Sequence, residues 1–127
     1  MNTLFGKVLL AAVMTFVIHG SLLAENTQKP PVTAQVNEAD FQHHYTDVAE
    51  QRIHYVTAGK GEPVLLIPGW PQTWYTWRYV MTGLAAQGYM AIAVDPPGTG
   101  FSARPDGGYD TGAVAATLHT MMNQLGY

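Results

Sequence analysis

Two short, uninterrupted apolar runs constrain the fold of this chain more than any other feature. They cover residues 64–67 and 90–94, and Pro63 and Pro68 bound the first of them. Runs of this length and composition are typical of strands that are covered on both faces, as in a parallel sheet. The sequence therefore predicts two neighbouring strands in a sheet with helices on its faces.

Helical periodicity fills the stretches after both runs. In residues 73–88, Thr73 is placed to cap a helix and Gly88 to end it, and an apolar stripe comprises Trp74, Trp77, Val80, Met81 and Leu84. A second stripe, ended by Gly126, comprises Val114, Leu118, Met121, Met122 and Leu125. Each stripe predicts a helix that packs one face against the sheet.

A β-hairpin is predicted ahead of these elements. Its strands are residues 41–47 and 52–57, and strand alternation places Ile53, Tyr55 and Thr57 on one face, opposite His54 and Val56. The fold class is therefore α/β, with a β-hairpin followed by β-α-β-α of a mostly parallel sheet. We expect residues 41–127 to be a partial domain, because the last helix should lead to a further strand.

The N-terminus has the pattern of a signal peptide over residues 1–24. Lys7 precedes an apolar segment, and Ala24 is a small residue at the expected cleavage point. The apolar segment is shorter than the roughly 20 residues of a membrane span. We expect export to the periplasm or the medium, with an uncleaved N-terminal membrane anchor as the alternative. Residues 25–40 are polar, contain Pro30 and Pro31, and are predicted to be a linker.

Composition argues against several classes of partner. The net charge is −3 and no basic cluster is present, so we expect no nucleic-acid partner. The absence of cysteine excludes disulfides and thiolate zinc sites. His43 and His44 are adjacent in a strand and point to opposite faces, while His54 and His119 lack a partner at ligand spacing. We therefore expect no metal and no cofactor, and each histidine is interpreted as a structural or surface residue.

The loop of residues 68–72 is the strongest candidate for chemistry. It follows a predicted buried strand and precedes a helix, at the end of the sheet where α/β proteins bind ligands. Pro68 and Pro71 carry no N–H, so Gly69, Trp70 and Gln72 supply the amide donors of the loop. Such a loop either holds negative charge that develops on a substrate oxygen or is a plain strand-to-helix turn.

The second candidate is the loop of residues 95–102. Asp95 ends a strand and can accept loop amides, so a structural turn is favoured. Gly98 and Gly100 approach a dinucleotide-binding fingerprint, but no helix opens there and that interpretation is rejected. Ser102 lacks the second glycine of a nucleophile elbow and is expected to form loop hydrogen bonds.

Together these stretches resemble the α/β-hydrolase superfamily, in its epoxide hydrolase and haloalkane dehalogenase branch. The likeness lies in residues 52–56, 64–67, 69–78 and 95–102, and it extends to exported bacterial epoxide hydrolases. It implies that the Trp70 amide belongs to an oxyanion hole, with Gly69 and Pro71 shaping the substrate-binding loop. Pro68 stands where the family has a histidine whose side chain braces that loop.

The resemblance also implies a mechanism and what it requires. An aspartate on an elbow after the fifth strand attacks an epoxide carbon to form an alkyl-enzyme ester, and a His–acid pair then hydrolyses that ester with water. Asp95 matches the turn after the fourth strand and is not that nucleophile. We therefore expect a fragment truncated before the nucleophile strand and inactive alone, from a longer hydrolase of a small-molecule epoxide, ester or haloalkane. The alternative is a secreted, degenerate fragment without catalysis.

Overall fold

The computed structural model describes residues 36–127. The predicted signal peptide, residues 1–24, lies outside the described residues, as does most of the predicted linker. Where the linker is described, it ends in a short 3-10 turn at Glu38–Asp40. No helix in residues 36–127 is both long enough and apolar enough to cross a membrane.

A four-stranded mixed sheet carries a helix on each face. Its strands are β1 (Gln42–Val48), β2 (Gln51–Gly59), β3 (Glu62–Leu66) and β4 (Tyr89–Val94), and its helices are α1 (Arg78–Ala86) and α2 (Thr111–Gln124). The strand order is β1-β2-β4-β3. β2 pairs antiparallel with β1 and with β4, and β3 pairs parallel with β4. The predicted α/β fold class, a hairpin followed by β-α-β-α, is confirmed.

The hairpin closes through a two-residue turn. Ala49 and Glu50 link β1 to β2, and both have positive φ angles, of 47° and 65°. Two consecutive residues in this region match the right-handed twist of the strands they join. The register continues through β2 into β4, so that Tyr55 lies opposite Val94.

Strand alternation divides the core into two layers, as predicted. Ile53 and Tyr55 of β2 lie on the α2 side of the sheet, in a cluster that includes Leu118 and Met121. Val56 and Ala58 lie on the α1 side, in a cluster with Trp74 and Met81. All five residues of the predicted α2 stripe belong to or pack against the first of these clusters.

The first predicted helix differs from the expectation in two respects. It begins with a 3-10 turn, Trp74–Trp77, and continues as α1. The 3-10 turn rotates about 20° further per residue than an α-helix, which shifts the apolar stripe; Val80 is accordingly 44% exposed while Met81 is fully buried. Thr73 is the N-cap residue of this turn, as predicted, but its side chain makes no capping hydrogen bond. The carboxylate of Asp95 accepts the Trp74 amide instead.

β3 forms an edge of the sheet in the described part of the chain. Leu65 packs toward the α2 cluster and Leu66 toward the α1 cluster, which agrees with a strand that is covered on both faces. Both residues are only partly buried, and Ile67 just beyond them is 48% exposed. One side of this apolar strand is therefore without a neighbour among residues 36–127.

Candidate active site

The loop that connects β3 to the 3-10 turn lies at the carboxyl end of the two parallel strands. Pro68 is buried, whereas residues 69–72 are exposed. The Gln72 amide donates to the Gly69 carbonyl at 2.8 Å and closes a tight turn around Trp70 and Pro71. Of the three predicted amide donors, Gln72 is therefore used within the loop itself.

The Trp70 amide is free to bind something else. It precedes the helical residues, and it has no hydrogen-bond acceptor among residues 36–127. The Trp70 indole is 87% exposed, so this residue is not part of the core. The structure brings Gly69, Trp70 and Pro71 together in one exposed loop; their role in an oxyanion hole stays a prediction.

A cleft of about 530 Å³ opens beside this loop. Ile67 and Trp70 line it together with Pro97 of the loop after β4 and Leu118 of α2. Among the described residues that line it, Arg104 is the one with a charged side chain. A mostly apolar cleft next to unpaired amide donors suits an apolar molecule that carries a polar oxygen.

Asp95, the first residue after β4, joins three parts of the molecule. Its side chain is fully buried. Oδ1 accepts the Trp74 amide at 2.7 Å, and Oδ2 accepts the Phe101 amide at 3.0 Å. Oδ2 also lies 2.8 Å from Nδ1 of His54. One carboxylate thus links the Trp70 loop, the loop after β4 and the central strand β2.

These hydrogen bonds set the charge of the carboxyl group. Burial alone raises the pKa of Asp95, because it penalises the ionised form. The hydrogen bonds from His54 and from the amides of Trp74 and Phe101 act in the opposite direction and outweigh burial, so that the pKa of Asp95 is lowered. The group is therefore a carboxylate at neutral pH, and His54 Nδ1 must donate to it.

His54 belongs to a short chain of rings that begins at the surface. It is fully buried in β2, and its Nε2 lies 3.0 Å from Nδ1 of the exposed His43. A neutral His54 accepts a hydrogen bond from His43 at this point, whereas a doubly protonated one donates to it. Partial burial lowers the pKa of His43, and the neighbouring His54 lowers it further. The His43 ring also meets the Trp74 ring edge to face at 5.0 Å.

The backbone around this pair is held by Ser102 and Gly100. The Ser102 hydroxyl accepts the His54 amide at 2.9 Å and donates to the Asp95 carbonyl at 2.5 Å, which confirms its predicted role as a loop hydrogen-bonding residue. Gly100 has a φ of +49°, and a Cβ on it would lie 2.0 Å from Oδ2 of Asp95. The close approach of backbone and carboxylate therefore requires glycine.

Sequence reasoning missed the partnership of His54 and Asp95. It placed Asp95 in a turn that accepts loop amides, which is confirmed, and it interpreted His54 as a histidine without a partner. A signal was present: His54 shares a strand face with the buried Val56, and a buried imidazole needs a hydrogen-bond partner. No group of three or more potential metal ligands occurs within residues 36–127.

Comparison with known proteins identifies the family. The family model described as "alpha/beta hydrolase fold" matches residues 62–127. A soluble epoxide hydrolase of Corynebacterium sp. (strain C12) is 42% identical over 88 residues, which are 69% of this chain and 30% of that protein. Among relatives of this kind, the chain thus spans about a third or less of their length.

Two solved structures extend the likeness to three dimensions. The crystal structure of an epoxide hydrolase from Vigna radiata superposes with a TM-score of 0.68 at 27% identity, over 72% of this chain and 30% of that one. The haloalkane dehalogenase DatA of Agrobacterium tumefaciens C58 superposes with a TM-score of 0.63 at 26% identity, over 70% and 31%. These relatives confirm the predicted branch. The chain belongs to the α/β-hydrolase fold family.

Proposed function

We propose that the whole protein is an epoxide hydrolase and that the Trp70 amide supplies one donor of its oxyanion hole. The observation that carries this proposal is the unpaired Trp70 N–H in the exposed loop after β3, beside an apolar cleft. The relatives that bear the name epoxide hydrolase support the choice of substrate class.

The chemistry explains why an amide is needed at this position. When water attacks the alkyl-enzyme ester, the carbonyl oxygen of that ester gains negative charge. A fixed N–H aimed at this oxygen stabilises the transition state, and the loss of one such donor typically lowers kcat by about 10²–10³-fold.

Replacement of Trp70 tests the donor directly. In the whole protein, Trp70→Pro removes the N–H, and we expect kcat for a styrene-oxide-type substrate to fall by about 10²-fold or more. Trp70→Ala keeps the N–H and removes only the indole, so its kcat should fall much less. Thermal unfolding of both variants controls for folding. Equal losses in two folded variants would show that the amide is not the donor.

Residues 1–127 alone should not turn over substrate, because the nucleophile and the His–acid pair implied by the family are not assigned to any residue of this chain. Hydrolysis of a styrene-oxide-type or nitrophenyl-ester substrate above background by the purified, refolded chain would refute this prediction.

The reading frame past codon 127 separates the epoxide hydrolase from an esterase and from a degenerate product. An in-frame elbow of the Gly-x-Asp-x-Gly kind supports the proposal, and a serine in place of that aspartate would favour an esterase. A stop codon would support a degenerate product without catalysis.

We also propose that residues 1–24 direct export. The charged start, the short apolar segment and the small residue at position 24 support this. N-terminal sequencing of the mature protein from a periplasmic or culture fraction should begin at Glu25. An intact Met1 on protein from the cytoplasm would contradict export.

A further inference from the structure

We propose that Asp95 and His54 are positioning residues, which fix the loop that carries the Trp70 amide. This inference rests on the proposed function, because it assigns to the buried pair a role in the same oxyanion hole. Neither residue lies in the exposed loop itself, so the pair would act through Trp74.

The first step is that the position of the loop relative to the sheet depends on how its two ends are held. Its interior is closed only by the bond from Gln72 to Gly69, which is internal and fixes nothing relative to the sheet. At its start the loop continues from β3 through the buried Pro68. At the C-terminal end of the loop, the Trp74 amide donates a hydrogen bond to Asp95. The Trp74 ring also packs against Phe41.

The second step is that few hydrogen bonds hold this loop to the rest of the fold. Pro68 has no polar side-chain atom that could brace it. Among the described residues, the hydrogen bond from the Trp74 amide to Asp95 is the one that ties residues 69–74 to a segment beyond the adjoining 3-10 turn. The position of the Trp70 amide therefore depends on where the Asp95 carboxylate lies.

The third step is that His54 determines the position of that carboxylate. Oδ2 is held between His54 Nδ1 and the Phe101 amide, which leaves Oδ1 aimed at Trp74. His54 is itself held in place by two hydrogen bonds. Its backbone amide donates to the Ser102 hydroxyl, and its Nε2 is hydrogen-bonded to Nδ1 of His43. Without the His54 donor, the buried carboxylate loses its only side-chain partner among residues 36–127. It would then be expected to rotate toward other donors, because an unsatisfied buried acceptor is unfavourable.

The test compares two substitutions at one position in the whole protein. His54→Asn keeps an N–H near the place of Nδ1, whereas His54→Leu fills similar space without a donor. We expect His54→Leu to lower kcat by about 10–100-fold with KM changed less than about threefold, because a displacement near 1 Å in a catalytic group has effects of this size. His54→Asn should recover kcat to within about threefold of the wild type.

His44→Leu is the matched control. His44 follows His43 in β1 and therefore points to the opposite face of the sheet. Its ring is hydrogen-bonded to the Thr57 hydroxyl and not to Asp95. Its kcat and KM should equal those of the wild type. Wild-type kcat in His54→Leu, or equal loss in the Asn and Leu variants, would overturn the proposal, because a purely structural role predicts no rescue by a donor.

A second measurement needs no turnover and separates this inference from the proposed function. Amide hydrogen exchange of Trp74 should accelerate about tenfold or more in His54→Leu relative to His54→Asn, while amides of α2 remain unchanged. If the wild type hydrolyses no epoxide but the Trp74 exchange responds in this way, the proposed function fails and the positioning of the loop stands. Unchanged exchange at Trp74 in His54→Leu would overturn the positioning role.

Discussion

At the scale of single residues, the Asp95 carboxylate is the group on which the architecture of the site depends. A buried charge without partners is strongly unfavourable, and removal of one partner of a buried ion pair typically destabilises a protein by about 3–5 kcal/mol. Here His54 and two loop amides supply three donors to one carboxylate. The same three bonds stabilise the charge and join three segments that are distant in sequence.

The lowered pKa of Asp95 predicts how stability depends on pH. A carboxyl group whose pKa is lower in the folded state than in the unfolded state stabilises the fold above its unfolded value, about 3.9 for aspartate, and this contribution is lost as pH falls through the folded pKa. In the whole protein, Asp95→Asn should therefore be less stable than the wild type at pH 7, by about 1–3 kcal/mol for each buried donor that it leaves without an acceptor.

Urea unfolding of wild type and Asp95→Asn from pH 7 down to pH 2 measures this difference. The difference in the free energy of unfolding between the two proteins should become smaller below about pH 4, as the wild-type Asp95 carboxyl becomes protonated. Asp106→Asn, at an exposed carboxyl, is the control for general charge effects. A difference in the free energy of unfolding between wild type and Asp95→Asn that becomes larger as pH falls would contradict the assignment of a stabilised carboxylate.

Gly100 offers a second prediction at this scale. Gly100→Ala places a methyl group against Oδ2 of Asp95 and in a left-handed backbone region, so we expect a loss of about 2–4 kcal/mol in the free energy of unfolding. Gly107→Ala lies in the same long loop with no atom within 4 Å of the added Cβ, and it should change stability by about 0.5 kcal/mol or less. Equal effects of the two substitutions on urea midpoints would refute the close-contact argument.

At the scale of elements, most of the fold could be predicted because each strand and helix carries its own periodicity. The alternation along β2 was sufficient to assign Ile53 and Val56 to opposite layers. The start of the first helix was predicted at Thr73, which is its N-cap residue, but the acceptor of the Trp74 amide could not be predicted, because Asp95 is 21 residues away in sequence. Local propensity favoured the Thr73 side chain as that acceptor, and a tertiary contact replaced it.

The orientation of α1 on the sheet determines which of its residues face the core, and this can be tested. Met81 is fully buried against the sheet, and Met81→Ala should destabilise the whole protein by about 2–5 kcal/mol through the cavity that it leaves. Val80→Ala, one residue earlier, removes a side chain that is 44% exposed and should cost less than about 1 kcal/mol. Thermal unfolding of the two variants decides which residues face the core; similar, large losses for both would show that the sequence-based stripe, with Val80 and Met81 both inside, was the better description.

At the scale of the whole molecule, the candidate site depends on register, which the sequence does not display. The Trp70 loop could be located because it has a local signature of proline and glycine after an apolar strand. The bond between His54 and Asp95 arises because β2 and β4 are neighbours and their register sets His54 beside the end of β4. Two residues 41 positions apart become partners only when that pairing is known.

The unpaired edge of β3 leads to the last prediction. Within residues 36–127, no strand pairs with one side of β3, so its residues 64–66 form an apolar edge. The apolar cleft opens near the same edge, at Ile67 and Pro68. An apolar edge strand of this kind is a template for pairing with another chain. We therefore expect residues 1–127, expressed alone, to self-associate at micromolar concentrations, whereas the whole protein covers this edge and does not. Sedimentation velocity of both forms measures the difference. A monomeric chain of residues 1–127 that unfolds cooperatively in urea would show that the two core layers are sufficient without a neighbour for β3.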